Sequence, residues 1–322
     1  MSITSYLKEI GRGKDGARAL DRAQAADLMG QVLDGAVSDL EVGAFCLAMR
    51  VKGETVGEMA GFLDATHARM KRISVDPAHA ATALPTVVLP SYNGARKLPV
   101  LTPLLALLLA RQGLPVLIHG TPTEIDSRRV LTEAVLASLD TISALPSLVL
   151  FTRTEQLLPG LKRLLDVRRV VGLRNSAHSL VKLMNPCANE AVVVGSYTHP
   201  EYAESMAATL QLTGQRALLL RGTEGEPVAD ARRTPLMTGY WQGQSGVLQA
   251  AQTGPLAQLP DLPIDISAAS TARYIHRVLT GELPVPEAIA CQVQRLVALA
   301  QMTDAAQLSL PCSPFMEKQN AR

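Results

Sequence analysis

Five short, almost entirely apolar runs alternate with helical segments along the chain, and this alternation limits the fold more than any other feature. The runs lie at residues 86–89, 116–119, 148–151, 190–195 and 216–220. They lack polar residues at every second position, so both faces of each strand must be buried. Sheets covered on both faces are mainly parallel, since crossover helices join their strands. The sequence therefore predicts an α/β domain with a mainly parallel sheet.

Helix signals also occupy the positions between and after the strands. Thr102 followed by Pro103 is typical of an N-cap with proline at the first helical position, and the helix is expected to end at Arg111. Further helices are expected near residues 128–138, after Pro200, near 267–279 and near 286–300.

The N-terminal region has helix signals and no strand-like alternation. Asp21 with Gln24, and Thr55 with Glu58, have the spacing of capping boxes, and Ser38 can cap a helix between them. The three helices are expected to end near residues 34, 50 and 71. We therefore predict a small all-helical domain at residues 1–75, joined by a return helical segment near 160–186. The α/β domain is expected to span residues 76–322.

The chain is nearly neutral, with a formal net charge of +2, so a site for a polyanion must come from local charge asymmetry. Residues 151–182 contain seven cations against two acids, Glu155 and Asp166. The cations are Arg153, Lys162, Arg163, Arg168, Arg169, Arg174 and Lys182. The pairs 162/163 and 168/169 are about two helical turns apart, which predicts that one helix carries both pairs on one side. The alternative to a polyanion site is that these cations form an ordinary solvated face of a helix.

Cysteine spacing and hydropathy give the expected compartment. Cys46, Cys187, Cys291 and Cys312 are far apart and have no zinc-site spacing, which fits a reducing environment. The N-terminus is too polar for a signal peptide. The most apolar segment, residues 98–110, is too short to span a bilayer and predicts a buried helix. We expect a soluble, cytoplasmic protein that does not contact the membrane.

Two segments in the cation-rich region resemble the arginine motif of anthranilate phosphoribosyltransferases. Residues 172–175 read Gly-Leu-Arg-Asn and lead through a helix to Leu-Met-Asn-Pro at 183–186, where the family has Gly-x-Arg-Thr and Pro-Leu-x-Asn-Pro. Other similar segments follow in family order from residue 1 to about 300. The resemblance implies a helical domain, which usually mediates dimerisation, beside an α/β domain. It also implies that Arg174 lies near the cleft between them.

The phosphate and metal motifs of that family are degraded here. Its Gly-Thr-Gly-Gly-Asp pyrophosphate loop corresponds to residues 90–97, Pro-Ser-Tyr-Asn-Gly-Ala-Arg-Lys, which keep one glycine. Its Asn-x-Ser-Thr and Lys-His-Gly-Asn segments correspond to Val-Leu-Thr-Pro at 100–103 and Ile-His-Gly-Thr at 118–121. Its adjacent Asp-Glu pair for Mg²⁺ is missing from residues 222–227. Glu224 and Glu226 there could hold a metal, but their flanking glycine and proline favour a turn.

These departures argue against phosphoribosyl transfer, because little remains to offset the charge of a leaving pyrophosphate. The segments SYNGARK, RNSAHSL and YTHPEY are instead similar to the YbiB group of TrpD-like proteins. That resemblance implies a nucleic-acid-binding rather than a biosynthetic role. We therefore expect no catalytic residue, no metal and no cofactor. His119 is expected to be a hydrogen-bonded loop histidine rather than a base.

The predicted function is sequence-non-specific binding of nucleic acid through its phosphates by a homodimer. Single-stranded DNA or RNA is the expected partner, with duplex as an alternative. The predicted contacts are the seven cations above with Arg96 and Lys97. A vestigial phosphate and substrate cleft is expected at Asn93, Gly94, His119, Gly120 and Arg174. Two other functions remain open: a divergent phosphoribosyltransferase or phosphorylase, and a protein-binding scaffold. Tyr92, Tyr197, Tyr202 and Trp241 are too sparse in the sequence to predict a base-stacking platform.

Overall fold

The computed structural model describes residues 2–13, 15–74, 84–92, 94–122, 129–256 and 259–309. Asn93, Arg128 and Cys312 lie outside these ranges. So does the segment that contains the expected domain boundary at residues 75 and 76, and that boundary stays a prediction.

Four helices form the N-terminal unit: α1 (Thr4–Ile10), α2 (Arg22–Asp34), α3 (Asp39–Lys52) and α4 (Val56–Arg69). Asp21, Ser38 and Thr55 cap α2, α3 and α4, and each makes a complete capping box. The predicted helices are therefore confirmed, and the ends of α3 and α4 differ from the expected ones by two residues. Gly35 ends α2 in the left-handed conformation, with φ of 69°.

The α/β part is built on a seven-stranded sheet. Its strands are β1 (Thr86–Pro90), β2 (Val116–Gly120), β3 (Val149–Arg153), β4 (Ala191–Tyr197), β5 (Ala217–Arg221), β6 (Met237–Trp241) and β7 (Gln244–Gln249). The spatial order is β3-β2-β1-β4-β5-β6-β7, and the first five strands are parallel. The mainly parallel sheet predicted from the apolar runs is thus confirmed.

Strands β6 and β7 form an antiparallel hairpin at one edge of the sheet, and the sequence analysis missed it. Neither strand is a continuous apolar run, since one face of the hairpin is partly exposed. The turn residues Gln242 and Gly243 both have positive φ, at 49° and 79°. Two positive φ angles give the tight turn that matches the twist of paired strands.

Eight further helices complete the described part of the chain: α5 (Thr102–Arg111), α6 (Thr132–Asp140), α7 (Thr154–Leu157), α8 (Pro159–Val171), α9 (Ala177–Leu180), α10 (Pro200–Thr213), α11 (Ala268–Leu279) and α12 (Glu287–Gln301). Two expectations are corrected. Thr102 is not the N-cap of α5, because the helix begins at that residue and Leu101 occupies the cap. Helix α6 begins at Thr132 rather than near residue 128.

Alternate residues of the parallel strands enter two different cores. Val87 and Leu89 face a cluster that includes residues of α5, α6, α11 and α12. Val88 faces a second cluster, which continues without a break into the buried residues of the helical unit, such as Phe62. Helix α8 contacts α2 and α3. The helical unit therefore shares a core with one face of the sheet.

Arg216 contacts both the sheet and the end of α12. Its guanidinium lies 3.9 Å from the centre of the Trp241 ring in β6. It donates to the carbonyl of Leu299 at 2.6 Å and also to the carbonyl of Met302. The cation thus satisfies carbonyls at the helix end while it stacks on the chain's single tryptophan.

The length and hydropathy of a helix decide whether it can cross a membrane. None of the helices in the described ranges combines the length and apolar character needed to cross a bilayer.

A buried ion pair joins α3 to the start of α4. Lys52 Nζ lies 2.6 Å from Glu58, whose side chain is fully buried and also accepts from the backbone amides of Leu20 and Thr55. Removing one partner of a buried pair leaves an uncompensated charge. We therefore expect Glu58→Ala to lower the free energy of unfolding by about 3–5 kcal/mol in urea denaturation.

The matched control is Glu9→Ala, which removes a carboxylate from an exposed ion pair with Arg12. Exposed pairs contribute little, so the control should change the free energy of unfolding by less than about 1 kcal/mol. Equal losses in the two variants would contradict the role given to Glu58.

Candidate functional site

A cleft lies between the helical unit and the carboxyl edge of the sheet. Strands β1 and β4 are neighbours there, yet the chain leaves them toward opposite sides of the sheet. Crevices at such points of parallel sheets are the usual ligand sites of α/β proteins. The cleft has a volume of about 590 Å³. That is within the range of roughly 300–1,000 Å³ typical of pockets for small molecules.

The cleft is lined by more cations than anions. Arg50 comes from α3, Arg168 from α8, Arg174 from the segment before α9, and Lys182 from the segment after it. Two carboxylates, Glu54 and Glu201, also line the cleft. Glu54 is engaged by the hydroxyl of Ser176. The walls therefore favour an anionic occupant.

Lys182 lies at the floor of this cleft, not on the exposed cationic face that the sequence analysis gave it. The residue is buried, and its Nζ donates to the Ser196 carbonyl at 2.7 Å. Burial lowers the pKa of Lys182 to about 8, an effect that nearby Glu226 opposes. At neutral pH the ammonium remains mostly charged, so the floor of the cleft carries a positive charge.

The predicted cationic ridge on α8 is also corrected. Lys162 and Arg169 do share a side, because they are seven positions apart, and both bind Asp166. Arg163 points toward α2 and donates to the Leu33 carbonyl at 3.1 Å. Arg168 turns the other way and lines the cleft. A 3.6-residue period separates residues 163 and 168 by more than a third of a turn, so the two pairs cannot form one ridge.

The remaining predicted cations lie outside the lining of the cleft. Arg153 ends β3 and pairs with Glu133 at 2.8 Å and with Glu155 at 3.9 Å. Arg96 and Lys97 have exposed side chains in the loop after β1.

Aromatic rings that are scattered in the sequence meet in the cleft. Tyr197 and His199 follow from β4, and Tyr202 lies in the first turn of α10. The rings of His199 and Tyr202 are 6.5 Å apart. Tyr92 lines the floor, 5.7 Å from Lys182 Nζ and 6.2 Å from the ring of His178. The sequence analysis judged these tyrosines too sparse, because only the fold brings them together.

Two glutamates missed as site residues close the loop after β1. Glu224 accepts from the backbone amides of Arg96, Lys97 and Leu98, with distances of 2.9 Å for Lys97 and 3.0 Å for Leu98. Arg129 lies 3.8 Å from the same carboxylate and donates to the carbonyl of Gly94. The signal in the sequence was the pair of acids directly after a buried strand. The predicted turn is present as a single 3₁₀ turn, Thr223–Gly225.

Glu226 lies deeper, with 1% of its surface exposed. It accepts from the backbone amide of Gly94 at 2.7 Å, from the Thr102 hydroxyl at 3.2 Å and from the Ser91 hydroxyl. Gly94 has φ of 64° and closes this turn. The predicted vestigial loop is therefore filled by side chains of the same chain.

A Mg²⁺ ion, which the family resemblance implies, does not fit these carboxylates. A hard cation needs oxygens whose lone pairs face the ion. Here the oxygens of Glu224 and Glu226 accept hydrogen bonds from amides and hydroxyls, and Arg129 faces Glu224. Within the described ranges, no group of three His, Cys, Asp or Glu side chains could hold a metal ion.

His119 is the last but one residue of β2 and is fully buried. Neither ring nitrogen has a hydrogen-bond partner among the described residues, which corrects the expectation of a hydrogen-bonded loop histidine. Burial lowers the pKa of His119 to about 3. Gly120 follows it, packed so closely on the backbone of Ser91 that a side chain would overlap. Both residues therefore pack against the backbone of the loop after β1, where the Ser91 amide donates to the His119 carbonyl.

Comparisons with known proteins agree with this geometry. Residues 4–70 match the glycosyl transferase family, helical bundle domain. YbiB of Escherichia coli (strain K12), described as an uncharacterized protein, is 38% identical over 323 residues, which cover 96% of this chain and 97% of that protein. An anthranilate phosphoribosyltransferase of Methanopyrus kandleri is 30% identical over 298 residues, or 87% of this chain and 84% of that enzyme.

The fold is also that of a solved enzyme. The crystal structure of anthranilate phosphoribosyltransferase from Thermus thermophilus matches with a TM-score of 0.68 at 21% identity, covering 94% of this chain and 91% of that one. The fold is thus that of a phosphoribosyltransferase-like protein. The chain belongs to the TrpD-like proteins of the anthranilate phosphoribosyltransferase superfamily, glycosyl transferase family 3. The resemblance found in the sequence is confirmed.

The buried imidazole of His119 makes the fold sensitive to acid. The pKa of His119 is about 3 in the folded chain, against an ordinary value of 6.5, so the unfolded chain binds more protons below pH 6.5. Stability therefore falls as the pH drops from 6.5 toward 3. We expect His119→Met to reduce the loss of unfolding free energy between pH 7 and pH 5 by about 2 kcal/mol, at about 1.4 kcal/mol per pH unit.

Urea denaturation of both proteins at the two pH values measures this difference. His67 and His178, which are also buried, remain in both proteins and cancel in the comparison. The same acid loss in variant and wild type would show that His119 does not oppose protonation.

Proposed function

We propose that the protein binds nucleic acid through its phosphates, without sequence specificity, in the cleft between the helical unit and the sheet. The observation that carries this proposal is the lining of the cleft: four cations, two carboxylates and a group of aromatic rings. Cations that follow a phosphate backbone, with rings on which bases stack, are the common elements of single-strand binding.

The cations have different places in this proposal. Arg168 and Arg174 line the mouth and have partly or largely exposed side chains, so they contact phosphates directly. Lys182 adds positive charge from the floor. The other predicted cations, Arg96, Lys97, Arg153, Lys162, Arg163 and Arg169, provide weaker, screened attraction outside the cleft.

The rings favour an unpaired strand over duplex. Tyr197, His199 and Tyr202 can stack only on bases whose faces are free. Every base has such a face, so stacking adds affinity without base readout. Single-stranded DNA or RNA is therefore the proposed partner, and duplex should bind more weakly.

We do not expect phosphoribosyl transfer. The backbone amides of the loop after β1 already donate to Glu224 and Glu226, and these carboxylates do not suit Mg²⁺. The alternative, a divergent transferase, rests on the related enzymes. Consumption of anthranilate that depends on phosphoribosyl diphosphate and Mg²⁺ would decide in favour of that alternative.

A second copy of the chain is the proposed partner of the helical unit. Helix α3 exposes an apolar stripe at Leu40, Leu47 and Val51, and a shallow groove beside it is lined by Leu7 and Ile10 of α1. In a two-fold dimer such a stripe packs on itself, and the symmetry doubles the number of cationic clefts. In the family that this chain resembles, the helical domain usually mediates dimerisation.

The first test concerns the cleft cations. Arg168→Ala combined with Arg174→Ala should weaken binding of two unrelated fluorescent single-stranded oligonucleotides by at least about tenfold, since each charge-assisted contact contributes about 1.5 kcal/mol or more. The slope of log affinity against log salt should fall by about 1.4, or ~0.7 for each phosphate that the variant no longer neutralises.

The matched control removes two exposed arginines elsewhere, Arg18 and Arg277, and makes the same change in net charge. It should leave affinity and slope nearly unchanged. Equal losses in both double variants would mean that net charge, not the cleft, attracts the strand. No binding by the wild type at low salt would reject the proposal.

The second test concerns the apolar stripe. Leu47→Asp places a charge in the proposed dimer contact and should convert the protein to a monomer in sedimentation velocity, because the carboxylate would be buried without a partner. Leu212→Asp, at another exposed leucine on α10, should remain a dimer. A monomeric wild type, or a dimeric Leu47→Asp variant, would exclude this interface.

A further inference from the structure

Lys182 lies at the floor of the cleft without a carboxylate partner. The residue is 8% exposed and belongs to the lining of the cleft. Its Nζ donates to the carbonyl of Ser196 at 2.7 Å and lies 3.4 Å from the hydroxyl oxygen of the same residue. It forms no ion pair within the described ranges. Both acceptors are neutral, so they serve an uncharged amine as well as an ammonium.

Lys52 has the opposite environment. Its side chain is equally buried, but Nζ lies 2.6 Å from the carboxylate of Glu58, which stabilises the ammonium form. At Lys182 burial lowers the pKa to about 8, against the opposing charge of Glu226 and with a further lowering by Arg174. At pH 8 about half of the Lys182 side chains are therefore amines, against roughly three in a thousand at the ordinary pKa of 10.5. The amine is the nucleophilic form of lysine.

His178 lies one helical turn before Lys182, on the same side of the segment. It also lines the cleft, is 5% exposed, and its Nε2 has no hydrogen-bond partner among the described residues. Burial lowers the pKa of His178 to about 4, so the imidazole is neutral at physiological pH. A neutral imidazole beside an amine can accept or donate a proton while a bond to the amine nitrogen forms.

The cleft also indicates which electrophile would reach this amine. Arg168 and Arg174 line the cleft and attract phosphates, so a reactive group carried between two phosphates is favoured. An intact nucleic-acid strand has no aldehyde. A deoxyribose that has lost its base opens to an aldehyde at C1′, and the missing base leaves room for the sugar to approach the floor. An abasic nucleotide therefore combines the charge and the carbonyl carbon that this site suits.

We propose that Lys182 forms an imine with the C1′ aldehyde of an abasic nucleotide held in the cleft. The lone pair of Nζ forms a bond to the aldehyde carbon, and the carbonyl oxygen leaves as water with two hydrogens that come from the amine. The step needs no oxidant or reductant, and water reverses it. This inference rests on the proposed nucleic-acid binding and adds a covalent step that binding alone does not require.

The test is trapping with sodium borohydride, which reduces an imine to a stable secondary amine. The full chain is incubated at pH 8 with a fluorescent single-stranded oligonucleotide that contains an abasic site, and the covalent product is measured on a denaturing gel. Lys182→Arg keeps the positive charge but cannot form the imine, so it should lower the yield by at least about tenfold. Its affinity for the same oligonucleotide with all bases present should change by less than about twofold.

Lys71→Arg is the matched control, because Lys71 is exposed and does not line the cleft. It should give as much covalent product as the wild type. Digestion of the wild-type product and mass spectrometry should locate the adduct on Lys182. This mapping decides the question even if Lys182→Arg does not fold, which circular dichroism checks.

The outcomes separate the imine from the proposed function. If the wild type binds the intact oligonucleotide but yields no covalent product, or if the adduct lies on other lysines, the imine is wrong and nucleic-acid binding stands. An undiminished yield from folded Lys182→Arg would also overturn the imine. If neither oligonucleotide binds at low salt and no product forms, both proposals are wrong.

Discussion

The buried carboxylate of Glu226 is the constraint around which the carboxyl edge of the sheet is built. An ionised carboxylate in a protein interior is tolerated only where hydrogen bonds replace water. Ser91 and Gly94 come from the loop after β1, and Thr102 and Thr132 from the starts of α5 and α6. Four segments must therefore meet at one point. These contacts to Glu226 hold the loop after β1 in place. Tyr92 lies in this loop and lines the floor of the cleft, so the position of the floor depends on the same contacts.

The same requirement engages the backbone amides of the loop after β1. A loop that binds a substrate phosphate has to leave its amides free until the phosphate arrives. In this chain they are satisfied in the folded state, so the loop has become part of the structural support. Positive charge is instead presented on the helical side, where Arg168 and Arg174 line the open cleft.

Local signals in the sequence were enough for most of the fold. A capping box acts within four residues, so Asp21, Ser38 and Thr55 located three helix starts. Apolar runs located the five parallel strands, and four of these strands are buried along almost their whole length. The expectation of two buried faces is wrong for β3, which lies at the edge of the sheet and is partly exposed. The β6–β7 hairpin escaped because one of its faces is partly exposed, which leaves no continuous apolar run.

The site was predictable only in part, since its contacts join distant positions. The sequence gives the cations, the degraded loop and the place of Arg174 near the cleft. It does not give the partner of Ser91, which is Glu226, 135 positions away. Nor does it separate Lys182, which folds inward, from Arg168, which lines the cleft. Density of charge along a chain is not density of charge on a surface, because a helix distributes neighbouring residues around its axis.

The stacking of Arg216 on Trp241 has a practical optical consequence. This indole is the chain's only one, and it lies where the end of α12 meets the sheet, outside the lining of the cleft. Intrinsic tryptophan emission therefore reports on the docking of α12 against the sheet. Because Trp241 does not line the cleft, its emission follows unfolding of the α/β part rather than filling of the cleft. Occupancy of the cleft has to be followed through a label on the ligand or through tyrosine.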